Sequence, residues 1–128
     1  MSQHEKRIQM MYLLYQYDLS LQMEKKPSYL SEEDLSESLQ GILDVLEDID
    51  HIISSCLTNY RINRLSYVDR AIIRLATYEM HNLKLEPEIA INEALNLTRA
   101  YSMLDDEKQV KFSNKLLDSI SKYIKEHE

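Results

Sequence analysis

Turn-forming residues are nearly absent from the chain: among its 128 residues there is one glycine, Gly41, and two prolines, Pro27 and Pro87. All-β and doubly wound folds spend many of both on tight turns, so the scarcity predicts an all-α protein. One cysteine, Cys56, rules out an internal disulfide, and its apolar neighbours Ile52, Ile53 and Leu57 predict a buried, inert thiol rather than a nucleophile. No apolar run approaches the roughly 18 residues that cross a bilayer, and Met1 to Arg7 lacks the apolar stretch of a secretory signal. A cytoplasmic protein is therefore expected.

A Gly-rich phosphate loop cannot be built from one glycine. His4, His51, His81 and His127 are scattered singly, with no second His or Cys at a metal-ligand spacing. No Ser, His and Asp set stands apart from ordinary surface residues. The expectation is no metal, no cofactor and no catalysis.

Hydrophobic spacing supplies the positive signal. Ile8, Met11, Tyr12, Tyr15 and Leu19 fall on one helical stripe ending near Leu19, and Ser20 to Leu30, with Pro27 inside it, reads as a connector. A long second helix is predicted from a cap at Ser31, with Asp34 in the reciprocal position, to about Asn59, on the stripe Leu35, Leu39, Ile42, Leu46, Ile49, Ile53 and Leu57. Gly41 would bend this helix or mark a close crossing. Val68, Ile72, Leu75, Ala76, Met80 and Leu83 predict a third helix. Ala94, Leu95 and Leu97 predict a fourth beyond Pro87, Met103 to Asp106 predicts a loop, and Phe112, Leu116, Ile120 and Tyr123 a last helix from Glu107 to Ile124.

The formal charge is −7, which opposes phosphate binding, yet it is unevenly spread. Met1 to Tyr60 carries 4 Lys and Arg against 11 Asp and Glu, whereas Arg61 to Glu128 carries 11 of each. A nucleic-acid site must draw on local clusters: Lys6 with Arg7, or Arg99 with Lys108, Lys111 and Lys115. Nine tyrosines offer faces for unpaired bases, although core or rim packing would explain most of them. Asp44, Glu47, Asp48 and Asp50 lack the alternating ligands and central glycine of a calcium loop and read as a solvated helix face.

Several ordered motifs carry a resemblance. They are Leu14-Tyr15-Gln16-Tyr17-Asp18-Leu19, then Asn59-Tyr60-Arg61-Ile62-Asn63-Arg64-Leu65, Val68-Asp69-Arg70-Ala71-Ile72-Ile73-Arg74-Leu75-Ala76 and Tyr78-Glu79-Met80. Past Pro87 come Ala90-Ile91-Asn92-Glu93-Ala94 and Lys111-Phe112-Ser113-Asn114-Lys115-Leu116-Leu117-Asp118. Together they resemble the NusB family over most of the chain. The resemblance implies one domain over residues 1–128, made of two packed helical bundles. It implies an antitermination factor that binds boxA-like single-stranded RNA together with the ribosomal protein NusE, in the setting of the transcription elongation complex. Lys6, Arg7, Tyr15, Arg99, Tyr101, Phe112 and Asn114 would meet the RNA, the rings by stacking, the cations at phosphates and Asn114 at a base edge.

By the same resemblance Asp69 would face the protein partner, while a carboxylate in a first helical turn equally suits the helix dipole. Asn92 and Glu93 are expected to cap the fourth helix, and Arg70 and Arg74 to complete surface pairs. The closing motif has Lys115 where the family usually has glycine. A second reading is open: a NusB-like protein-interaction or self-association domain, possible as a homodimer, that binds little RNA. An enzyme of the kind formed when such domains precede RNA methyltransferases would need a catalytic domain absent from these 128 residues.

Overall fold

The computed structural model describes residues 2–23, 33–58, 60–102 and 106–128. All regular structure among them is helical: α1 (Gln3–Met23), α2 (Glu33–Asp44), α3 (Leu46–Cys56), α4 (Tyr67–His81), α5 (Pro87–Tyr101) and α6 (Asp106–Glu126), with a 3-10 turn at Ile62–Arg64 before α4. The axis of the fold is α4, on which every residue from Asp69 to Met80 except Tyr78 is buried. A helix buried around most of its circumference must be covered on all sides, and its buried Asp69, Arg70, Arg74 and Glu79 must find partners there. Here α1 and α3 pack on it from one bundle, α5 and α6 from the other, and α2 closes the first bundle against α1 and α3. The core they share includes Leu14, Ile42, Ile53, Ile72, Ala90, Leu117 and Ile120.

Several boundaries differ from the sequence reading for physical reasons. The expected second helix is two, broken at Val45 (φ −117°, ψ 16°). A straight rod could not lay Leu39 and Ile42 beside α1 and also turn Ile49 and Ile53 into the contact with α4 and α6. Gly41 is not the break: a Cβ there would stand 3.2 Å from the Tyr78 hydroxyl, so it marks the close approach. α1 continues past Leu19 to Met23. Pro87 opens α5 as its first residue, where a missing N–H costs nothing, with Glu86 as N-cap. Asn92 and Glu93 therefore lie in the helix interior and do not cap it. Leu83, expected on the α4 stripe, follows the helix end and is 60% exposed. The proposed Ser31 cap and residues 103–105 of the loop expected from Met103 to Asp106 lie outside the described residues, whereas Asp106 is already the first residue of α6.

α1 runs antiparallel to α4, because its ion pairs match Arg7 with Glu79 and Asp18 with Arg70. The second pair is part of a buried network. Arg70 Nε donates to Asp18 Oδ2 at 2.6 Å, Arg74 Nη1 stands 3.5 Å from the same oxygen, and Arg74 grips Asp50 with two bonds of 2.9 and 2.8 Å. Thus Arg70 and Arg74 are not surface pairs but buried cations tying α1 and α3 to α4, and the half-buried Asp50 leaves the solvated acidic face to pair with Arg74. Bidentate guanidinium–carboxylate geometry fixes orientation as well as distance.

Candidate nucleic-acid interface

The N-terminal end of α4 gathers aromatic rings. Ser66 caps the helix: the Asp69 N–H donates to its Oγ at 3.1 Å, and its hydroxyl donates back to Asp69 Oδ2 at 2.8 Å. That cap fixes Tyr67 in the first turn. Tyr15 of α1 meets Tyr67 edge-on at 6.4 Å and lies 6.2 Å from Tyr12, which is 55% exposed. Beneath them the Arg70 guanidinium sits 4.9 Å from the Tyr67 ring centre. The α5 end reaches the same place, since Ser102 donates to Asp69 Oδ2 at 3.4 Å, bringing the exposed Arg99 and the 41% exposed Tyr101 to this end of the molecule.

A second aromatic pair lies where the 3-10 turn passes α6. Tyr60 and Phe112 are 5.5 Å apart and tilted, and the Tyr60 hydroxyl donates to the Arg64 carbonyl at 3.3 Å. Phe112 also lines a groove of about 440 Å³ between the end of α3 and α6, with Cys56, Leu57, Thr58, Lys115, Leu116 and Ser119. Asn114 is exposed on α6. Cys56 is half-buried rather than buried as expected, and that burial raises its thiol pKa, which favours the protonated thiol and slows its reaction without abolishing it.

Lys6 and Arg7 are elsewhere. Lys6 is nine residues from Tyr15, half a turn out of phase on a helix and roughly 13 Å along its axis. It borders a groove of about 230 Å³ with Met10, Ser38, Ile42 and Tyr78 on the α2 flank. Arg7 is consumed by Glu79, to which its Nε donates at 2.9 Å, both side chains being nearly buried. Glu79 has its pKa raised, first by desolvation, against which the Arg7 charge and hydrogen bond pull downward, with Glu93 adding to the rise. Asp69 is 1% exposed and engaged in the cap, so in this structure its carboxylate is covered rather than presented to a partner.

Sequence reasoning thus missed Tyr12, Tyr67 and Tyr60 as exposed or stacked rings, and Arg61 and Arg64 as exposed cations beside one of them. The available signal was Tyr60-Arg61 followed by Arg64, which places two cations about one turn apart next to an aromatic. Among the described residues no group of three His, Cys, Asp or Glu could hold a metal, and no helix is long and apolar enough to cross a membrane.

Exposed rings at the end of a helical scaffold, bordered by free cations, define the class: a helical binding protein whose surface chemistry suits unpaired nucleic acid. The comparisons narrow this. Residues 4–122 match the NusB family model. Transcription antitermination protein NusB of Clostridium perfringens (strain SM101 / Type A) is 33% identical, over 98% of this chain and 100% of its own length. That of a Nitratiruptor species is 32% identical over 97% and 94%. The Clostridium botulinum (strain Alaska E43 / Type E3) relative reaches 45% identity over 66% of this chain, a match spanning 62% of the relative. Among solved structures, Thermotoga maritima NusB superposes with a TM-score of 0.78 at 30% identity, covering 95% of this chain and 92% of that one. Antitermination factors NusB and NusE in complex with dsRNA match at 0.71 and 28%, covering 95% and 98%. The chain belongs to the NusB family, and its two packed helical bundles are that family's fold.

Proposed function

We propose that this protein is a transcription antitermination factor that binds boxA-like single-stranded RNA jointly with NusE and supports ribosomal RNA transcription. The observation that carries the reading is the pair of aromatic clusters at one end of the fold, Tyr12–Tyr15–Tyr67 and Tyr60–Phe112. Rings held at fixed angles by their neighbours provide preorganised stacking faces, while Arg99 and Tyr101 bring a cation and a further ring. Nascent RNA makes the elongation complex the setting and the cytoplasm the compartment. The chain acts as one domain over residues 1–128 and as a binding factor, not as an enzyme.

Asp69, covered in the isolated chain, would reach NusE only through rearrangement of the Ser66 cap. The NusE face is therefore assigned to the neighbouring exposed residues rather than to this carboxylate. A self-association reading has one observation in its favour: Leu83 and Ile89, flanking the α4–α5 link, are 60% and 47% exposed. A homodimer built there would appear as a doubled mass by light scattering.

The test is fluorescence anisotropy of a labelled boxA-like RNA, with and without NusE, for the wild type, Tyr15→Ala and Phe112→Ala. Each stacked base contributes roughly 1–3 kcal/mol, so affinity should fall by about five- to hundredfold in each variant. Absence of binding by the wild type, with and without NusE, would defeat the reading and leave the self-association surface as the alternative.

A further inference from the structure

Two of the cations expected beside the aromatic faces are not there, because Arg7 is spent on Glu79 and Lys6 lies on the opposite flank of α1. A chain of net charge −7 must then find phosphate-binding charge elsewhere. The outer face of α6 has it. Lys108, Lys111 and Lys115 follow spacings of three and four, so they line up within roughly 60° of arc over about 10 Å of helix. All three are exposed, and among the described side chains none has a carboxylate partner. Asp118, next along the same row, is occupied by Lys122 at 3.1 Å.

The row borders a built slot. Phe112 and Lys115 both line the 440 Å³ groove between the end of α3 and α6, and Tyr60 meets Phe112 at 5.5 Å in a tilted contact. Arg61, adjoining Tyr60, and Arg64, whose carbonyl accepts the Tyr60 hydroxyl, are exposed. Five exposed cations therefore stand on the segments that carry this tilted ring pair, beside a groove large enough for a nucleobase. Glu107 is the exposed carboxylate nearest in sequence to this row. Among the described residues, most acids of the first half lie on α2 and α3, and Asp18 and Asp50 are held in ion pairs.

We infer that the α3–α6 groove is a nucleotide slot for single-stranded RNA, with Lys108, Lys111 and Lys115 as its phosphate track and Arg61 and Arg64 flanking it. This rests on the RNA reading above and moves the electrostatic anchor of that site from the start of α1 to α6. Lys115, in place of the usual glycine of the closing motif, is part of the track. An unpaired base enters beside Phe112, and its backbone runs along the lysine row. RNA recognition of this kind combines sequence-tolerant stacking with a salt-sensitive backbone contact.

The experiment measures binding of the labelled boxA-like RNA to the protein with NusE across a salt series, for wild type, Lys6→Ala and the triple variant Lys108→Ala, Lys111→Ala, Lys115→Ala. For single strands each phosphate contact contributes about 0.7 to the slope of log affinity against log salt. Loss of about 2 from the slope in the triple variant, with Lys6→Ala close to wild type, is the expected result. An unchanged slope in the triple variant overturns the inference while leaving the RNA reading intact, whereas no binding by the wild type defeats both. Cys56, the sole thiol, gives an independent readout inside the groove. Saturating RNA should slow its alkylation by iodoacetamide several-fold in the same complex. An unchanged rate overturns the slot.

Discussion

The arginines between α1, α3 and α4 and the lysines on α6 carry the same charge and do opposite work. Arg7, Arg70 and Arg74 are each held by a carboxylate in a nearly dry setting, where their charge is internally cancelled and their geometry aligns helices. Lys108, Lys111 and Lys115 are hydrated and unpaired among the described side chains, so their field extends outward. Guanidinium suits the first role because its planar fork matches a carboxylate, while a flexible ammonium suits a path of phosphates that need not be rigid. Counting basic residues therefore says little about nucleic-acid affinity until each partner is known. The three internal pairs cancel one for one and leave the −7 total on the rest of the chain, so the placement of the remaining charges decides where phosphate can bind.

The sharpest way to break this contrast is Asp18→Ala. It strands Arg70 and leaves Arg74 with Asp50 alone, and removing one member of a buried pair costs about 3–5 kcal/mol. Urea unfolding should show a loss of that size, while RNA affinity of the folded fraction stays near wild type. A loss below about 1 kcal/mol would place the network with ordinary surface pairs.

Glu79→Gln probes the same interior through pH. The Glu79 pKa is raised above its ordinary 4.5, so the folded state holds the proton more tightly than the unfolded chain does. Its contribution to stability is fully present below that value and is lost as pH rises through the folded pKa. Thermal melts should therefore show the variant gaining on the wild type as pH rises from about 4.5 through the folded pKa. A difference that shrinks over that interval would mean the Arg7 pair outweighs desolvation.

The smallest effect belongs to the other side of the comparison. Replacing Lys108, Lys111 and Lys115 by alanine should change unfolding stability by no more than about 0.5 kcal/mol, as expected of exposed residues outside the core. A larger loss in urea titration would show that the row supports α6 instead of standing ready for a ligand.

The all-helical class was legible because one glycine and two prolines leave few alternatives and the apolar stripes repeat at helical spacing. Most of the helices were found within a few residues. The break at Val45 was not, since Leu46, Ile49 and Ile53 continue the stripe of Leu39 and Ile42 without a gap, and only the need to touch different neighbours separates the two segments. The site was legible in part. Tyr15, Phe112 and Arg99 were named from motifs and lie half-buried or exposed, but the pairing of Phe112 with Tyr60 joins residues far apart in sequence.

By itself, then, the sequence determined the helical class, the apolar faces and the family resemblance, because periodicity and ordered motifs are local properties of the chain. Tertiary structure alone decided which charges remain available. Whether an arginine is a strut or a phosphate contact depends on what packs within a few ångströms of it, and Arg7 met Glu79 while Lys115 met a groove open to solvent.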